Sequence, residues 1–286
     1  MDVLDIVKLG SRYGPSFAAV EPEAALAYAE ATNDDVSAYR SGPLVPPVFG
    51  VVPTWDVMLA AVLDVVPADA LPMLVHLSHD MHFHRPLEVG QVLATAAEVH
   101  SIRSLRSGGR LTVLVTSTAD GGAPLLDQYA TMFVRGLGGG ESGGPEPPDH
   151  AFPSTGRGQP VAQRTTHVDL DQTYRYRDAS GDDNPIHVDE GAALAAGLPG
   201  IIVHGLCTMA MCGQVVVADV AGGDPSLVRR LAVRFSRPVL PGRDLVTTLW
   251  ELDGNGHRRR YGFEARSEGL LVVRDGRAEL GPAERR

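Results

Sequence analysis

The chain has 286 residues, 44% of them hydrophobic and 21% charged, with a formal net charge of −10. That length and composition suit two modest domains with ordinary apolar cores and exclude a disordered chain. The acidic balance argues against nucleic acid as a partner, because phosphate binding needs a concentrated basic face. The N-terminus, MDVLDIVKLGSRYG, has no basic start leading into an apolar core, so no signal peptide is expected. No membrane span is expected either, since the longest apolar run, 215–220, falls short of the roughly 20 residues required and contains Asp219. Cys207 and Cys212 lie five apart in one predicted helix, without a second pair. They read as packing residues of a cytoplasmic protein, not as a disulfide framework or a zinc site.

In chain order, the first half offers a helical region, an apolar helix over 54–66, and strands near 79–84, 91–102, 110–119 and 127–134. Residues 136–160, GLGGGESGGPEPPDHAFPSTGRGQP, cannot sustain a helix or central strand and read as a flexible linker. The second half offers a short helix over 189–196, stopped by Gly197 and Pro199. A helix over 205–220 follows, apolar nearly all round and therefore buried. Strands are expected at 231–236, 244–252, 257–267 and 270–280. The halves repeat one another: Tyr28…Asn33-Asp34-Asp35 aligns with Tyr176…Gly181-Asp182-Asp183, and Phe83-His84-Arg85-Pro86 with Phe235-Ser236-Arg237-Pro238. Two copies of one α+β unit are implied, each an antiparallel sheet wrapped around a helix. The domains are 1–136, a linker over 137–160, and 161–286.

The run LVHLSHDMHFH raises a metal site, since Asp80, His82 and His84 share one face of a strand. The repeat's partner segment has no histidine, so exposed strand histidines are the better reading and no metal is expected. Arg229, Arg230, Arg234, Arg237, Arg243 and the triplet Arg258-Arg259-Arg260 flank the later strands. Phosphate binding and a solvated sheet edge explain them equally.

The chemistry concentrates in Ser180-Gly181-Asp182-Asp183-Asn184-Pro185-Ile186-His187. Gly181 permits a tight turn and Pro185 keeps Asn184 out of helical geometry, so a shaped loop gathers a carboxylate, an amide and an imidazole. An Asx turn that only caps a helix explains the same residues. Pro199-Gly200-Ile201-Ile202-Val203-His204-Gly205 then leads into the buried helix. Its first N–H groups would be free to hold an oxyanion.

These two segments, from Tyr176 through Thr208, resemble the MaoC-like (R)-specific enoyl-CoA hydratase family. The resemblance covers essentially the whole chain as a double hotdog, two sheets each wrapped around a long central helix. It implies reversible hydration of trans-2-enoyl thioesters to (3R)-3-hydroxyacyl thioesters. Asp182 and His187 would be the catalytic pair, Asn184 would orient them, and the Gly205 amide would hold the enolate. The substrate would be an acyl-CoA or acyl-carrier-protein thioester, with no cofactor. In the first half Tyr39 falls where His187 stands, Val36 where Asn184 stands, and Phe49-Gly50-Val51 replaces His204-Gly205-Leu206. That half should be inactive and serve as the acyl pocket. Pro47, Phe49, Val51, Trp55 and Met58 are candidate lining, and His204 is a further candidate substrate contact. An acyl thioesterase and a non-catalytic thioester-binding subunit are the competing readings. Two units in one chain fit either a monomer or a homodimer.

Overall fold

The computed structural model describes residues 3–40, 42–119, 121–152, 157–252 and 258–282. The first half runs through strand β1 (Arg12–Ala19), helices α1 (Pro22–Ala31), α2 (Ser37–Arg40) and α3 (Trp55–Val65), and strands β2 (Leu74–Phe83), β3 (Val92–Leu105), β4 (Gly108–Ala119) and β5 (Ala123–Arg135). The second half repeats the plan with β6 (Ala162–His167), α4 (Gln172–Ser180), α5 (Glu190–Ala195), α6 (Gly205–Asp219), β7 (Val228–Phe235), β8 (Asp244–Leu252), β9 (Arg259–Ser267) and β10 (Leu270–Leu280). Each half therefore opens with a strand that the sequence reading did not anticipate. The start of the strand expected at 257, and linker residues 153–156, lie outside the described residues.

Two separate sheets were expected; among the described residues the ten strands form one antiparallel sheet. Its order is β1-β3-β4-β5-β2-β7-β10-β9-β8-β6, the second half mirroring the first. The join is β2 against β7, where His79 faces Val233 and Asp80 faces Ala232. Each half alone would leave a bare edge at this strand, and pairing the two satisfies both rows of backbone groups. A buried ion pair marks the join: Arg230 grips both carboxylate oxygens of Asp80, at 2.9 and 2.7 Å.

The inner face of the sheet covers α3 and α6. Helix α6 buries Leu206–Gly213 and Val215–Val217, as its all-round apolar character requires. Around α3, Val57, Met58, Ala61, Val62 and Val65 pack against Val99, Leu111, Val113 and Val134. Residues Pro47–Val65 form one helical run that by length and composition alone would be long and apolar enough to cross a membrane. Here much of that run is core, with Phe49, Val51, Met58 and Ala61 all buried. Helices α1 and α4 meet across the halves, where Tyr28 packs on Tyr176 and Gln172 Nε2 donates to the Ala31 carbonyl at 2.6 Å. Asn33 Nδ2 donates to the His167 carbonyl at 3.1 Å.

The Gly/Pro-rich segment is laid against the sheet in its described part. Gly143 pairs with Ile102, Glu146 accepts from Arg103 and Arg110, and Phe152 is buried beside Trp250. Its own hydrogen bonds, and not its composition, decide that course.

Candidate active site

Helix α4 ends at Gly181, which takes the left-handed conformation at φ 79°. The chain then turns sharply through Asp182. Its backbone N–H donates to Ser180 Oγ at 3.2 Å, and its Oδ1 accepts the Asn184 N–H at 3.3 Å. Asn184 in turn caps the short 3₁₀ turn Pro185–His187, its Oδ1 accepting from the Ile186 N–H at 3.3 Å. The Asx turn and the loop that presents Asp182 and His187 are thus the same atoms.

His187 is buried, and its Nδ1–H donates to the Ile202 carbonyl at 2.7 Å. That bond leaves Nε2 as the acceptor. Burial pushes the imidazole pKa down to about 4, so the ring is neutral near pH 7. Burial pushes the Asp182 carboxyl up to about 6, with Asp183 adding repulsion and the Asn184 amide pulling the other way. The pair therefore combines a neutral acceptor with a carboxylate more basic than an ordinary aspartate.

His204 completes the cluster. Its ring stacks on His187 at 3.8 Å between centroids and 25° between planes, and its Nε2–H donates to the Asp182 backbone carbonyl at 3.0 Å. One candidate ligand atom each from Asp182, His187 and His204 lie within 4.8 Å of one another. That distance would suit a metal, but nearly parallel stacked rings send their in-plane lone pairs side by side and not to a common point. Gly205 opens α6, and a Cβ there would meet the Phe235 ring at 3.2 Å, so glycine lets the helix start sit against that ring. The first N–H groups of α6 have no partner within the helix and carry its positive end.

Of the expected pocket residues, Trp55 stands beside the Asp182 loop: its Cδ1 lies 4.0 Å from where a Cβ on Gly181 would be. Phe49, Val51 and Met58 are packed in the core. In the first half, Tyr39 donates to Asp34 Oδ2 at 2.9 Å, a closed pair at the place of Asp182 and His187. The histidine run splits between faces. His79 is buried and bonded to His76 and Gln128, while Asp80 is held by Arg230 and His84 by Asp127. Sequence reasoning missed the Ile202 carbonyl, because every residue has one and only the fold selects it.

The repeated half-sheet around a buried helix, with a carboxylate–imidazole loop at that helix's start, defines a double hotdog. Residues 153–269 match the MaoC like domain, and residues 37–136 match the MFE-2 hydratase 2 N-terminal domain. The chain is 32% identical over 213 residues to 3-hydroxyacyl-thioester dehydratase Y of Mycobacterium tuberculosis, covering 72% of each chain. It is 27% identical over 212 residues to a probable enoyl-CoA hydratase 2 of Dictyostelium discoideum, covering 73% of this chain and 71% of that one. A solved MaoC-like dehydratase from Phytophthora capsici superposes with a TM-score of 0.85 at 23% identity, over 99% of both chains. A Mycobacterium tuberculosis protein described as a double hotdog superposes at 0.61 with 17% identity, over 98% of both chains. The chain belongs to the MaoC-like dehydratase family.

Proposed function

We propose that the protein is a hydro-lyase that reversibly hydrates trans-2-enoyl thioesters to (3R)-3-hydroxyacyl thioesters, carried by coenzyme A or an acyl carrier. The observation that carries this reading is the Asp182–His187 pair, a water's span apart at the open N–H end of α6. A water there donates one hydrogen bond to the Asp182 carboxylate and one to His187 Nε2. Asp182 takes the proton as the oxygen adds to the β-carbon. The electrons move to the thioester oxygen, where the Gly205 N–H and the helix end stabilise the enolate. Asp182 then returns the proton to the α-carbon, and dehydration retraces these steps. Proton transfer and hydrogen bonding complete the cycle, and the step draws on no metal or redox cofactor. Trp55 forms one wall of the acyl path, with the first half as its support.

The test is loss of enoyl absorbance with crotonyl-CoA and longer 2-enoyl-CoAs, for wild type, Asp182→Asn and His187→Ala. Both variants should fall by ~10²–10⁴-fold while remaining folded. Activity should also decline as the pH drops through about 6, where Asp182 gains a proton. Release of free coenzyme A without hydration would replace this reading with a thioesterase.

A further inference from the structure

The reading of Asp182 and His187 as the catalytic pair leaves His204 without a task. It is 1% exposed, and its Nδ1 has no hydrogen-bond partner. Besides Tyr176, the groups it touches belong to the pair itself. The ring lies face to face with His187, and Nε2–H holds the backbone carbonyl of Asp182. His204 also occupies the N-cap position of α6, so the imidazole that touches the aspartate loop and His187 is carried on the residue from which that helix starts.

The molecule contains its own control. A chain of five rings crosses the junction between the halves. Phe49 meets Tyr28 at 5.7 Å, Tyr28 meets Tyr176 at 5.5 Å, Tyr176 meets His204 at 4.8 Å, and His204 meets His187. Tyr28 and Tyr176 are repeat partners, and Phe49 occupies in the first half the place of His204 in the second. A phenylalanine at this place therefore packs acceptably on the tyrosine. What it lacks is the N–H that reaches the aspartate loop, and the half that carries it also lacks the catalytic histidine.

We infer that His204 is a positioning residue: it fixes Asp182 through the main chain and His187 through stacking, and does not itself bind substrate. It acts on the transition state by holding two reacting groups in register, where a displacement of about 1 Å is worth ~10²-fold in rate.

The test compares His204→Phe, which copies the first half, with His204→Gln, whose amide can return a donor to the Nε2 position. For crotonyl-CoA hydration, His204→Phe should lower kcat by about 10–100-fold. KM should stay within about 3-fold, and His204→Gln should recover part of kcat. Amide hydrogen exchange over residues 181–187, read without substrate, should be faster in His204→Phe than in wild type and slower again in His204→Gln. An unchanged kcat, a rise in KM alone, or unchanged exchange in the loop overturns the inference. Should wild type fail to hydrate any enoyl thioester, the reaction assignment falls, and the exchange comparison still decides the role of His204.

Discussion

Asp182 shows how a single residue's surroundings set its chemistry. Burial raises its carboxyl to about 6, so the folded protein binds that proton more tightly than the unfolded chain does. The ionised form is a burden on stability above pH 6 that fades as the pH falls towards 4. Asp182→Asn, expected to lower activity, should therefore stabilise the fold by about 1–3 kcal/mol at pH 8. Urea unfolding at pH 8 and pH 4 would check this, and the gain should shrink at the lower pH. A destabilised variant at pH 8 would mean that the carboxylate is solvated and not strained. His187 is shifted in the opposite sense by the same burial, and the Ile202 carbonyl decides which nitrogen is left as the acceptor. The residue types of the pair were legible in the loop; the carbonyl that sets the tautomer was not.

At the scale of elements, the helix expected over 205–220 and the strands over 244–252 and 270–280 fall within a residue of those observed. Their apolar periods are long and their ends carry Gly-containing turns. Strands β1 and β6 escaped because they are edges. RYGPSFAA contains Gly14-Pro15, and AQRTTH is nearly all polar, so neither shows the alternation of a half-buried strand. The β2–β7 join likewise left no pattern, since strand pairing is a property of two distant segments. Its ion pair can be tested. Burial opposes ionisation of Asp80, yet His82 and Arg230 hold its carboxyl down at about 2. Arg230→Met strands that charge and should destabilise by roughly 3–5 kcal/mol. Adding Asp80→Leu should restore most of the loss in a denaturant titration. Equal effects of the single and double variants would show that the pair contributes nothing at the join.

For the whole molecule, the buried histidines dominate the response to acid. Burial lowers His76, His79, His187 and His204 below their ordinary value, so the folded state refuses protons that the unfolded chain accepts. Stability from these groups is complete above about pH 6.5 and is lost as the pH falls towards 4. Asp34 and Asp182, both raised, offset part of this over the same range. The urea midpoint should be lower at pH 5 than at pH 7.5; an equal or higher midpoint would show that the histidines are not held neutral.

The doubled plan, the buried helix of the second half and the loop that carries Asp182, Asn184 and His187 are written in the chain alone. Those features rest on local rules: apolar period, turn residues and a repeat readable without coordinates. Long-range packing alone makes the halves share one sheet, brings Trp55 of the first half to the loop of the second, and stacks His204 on His187. Each of those joins residues far apart in the chain, and only the packed core brings them within reach.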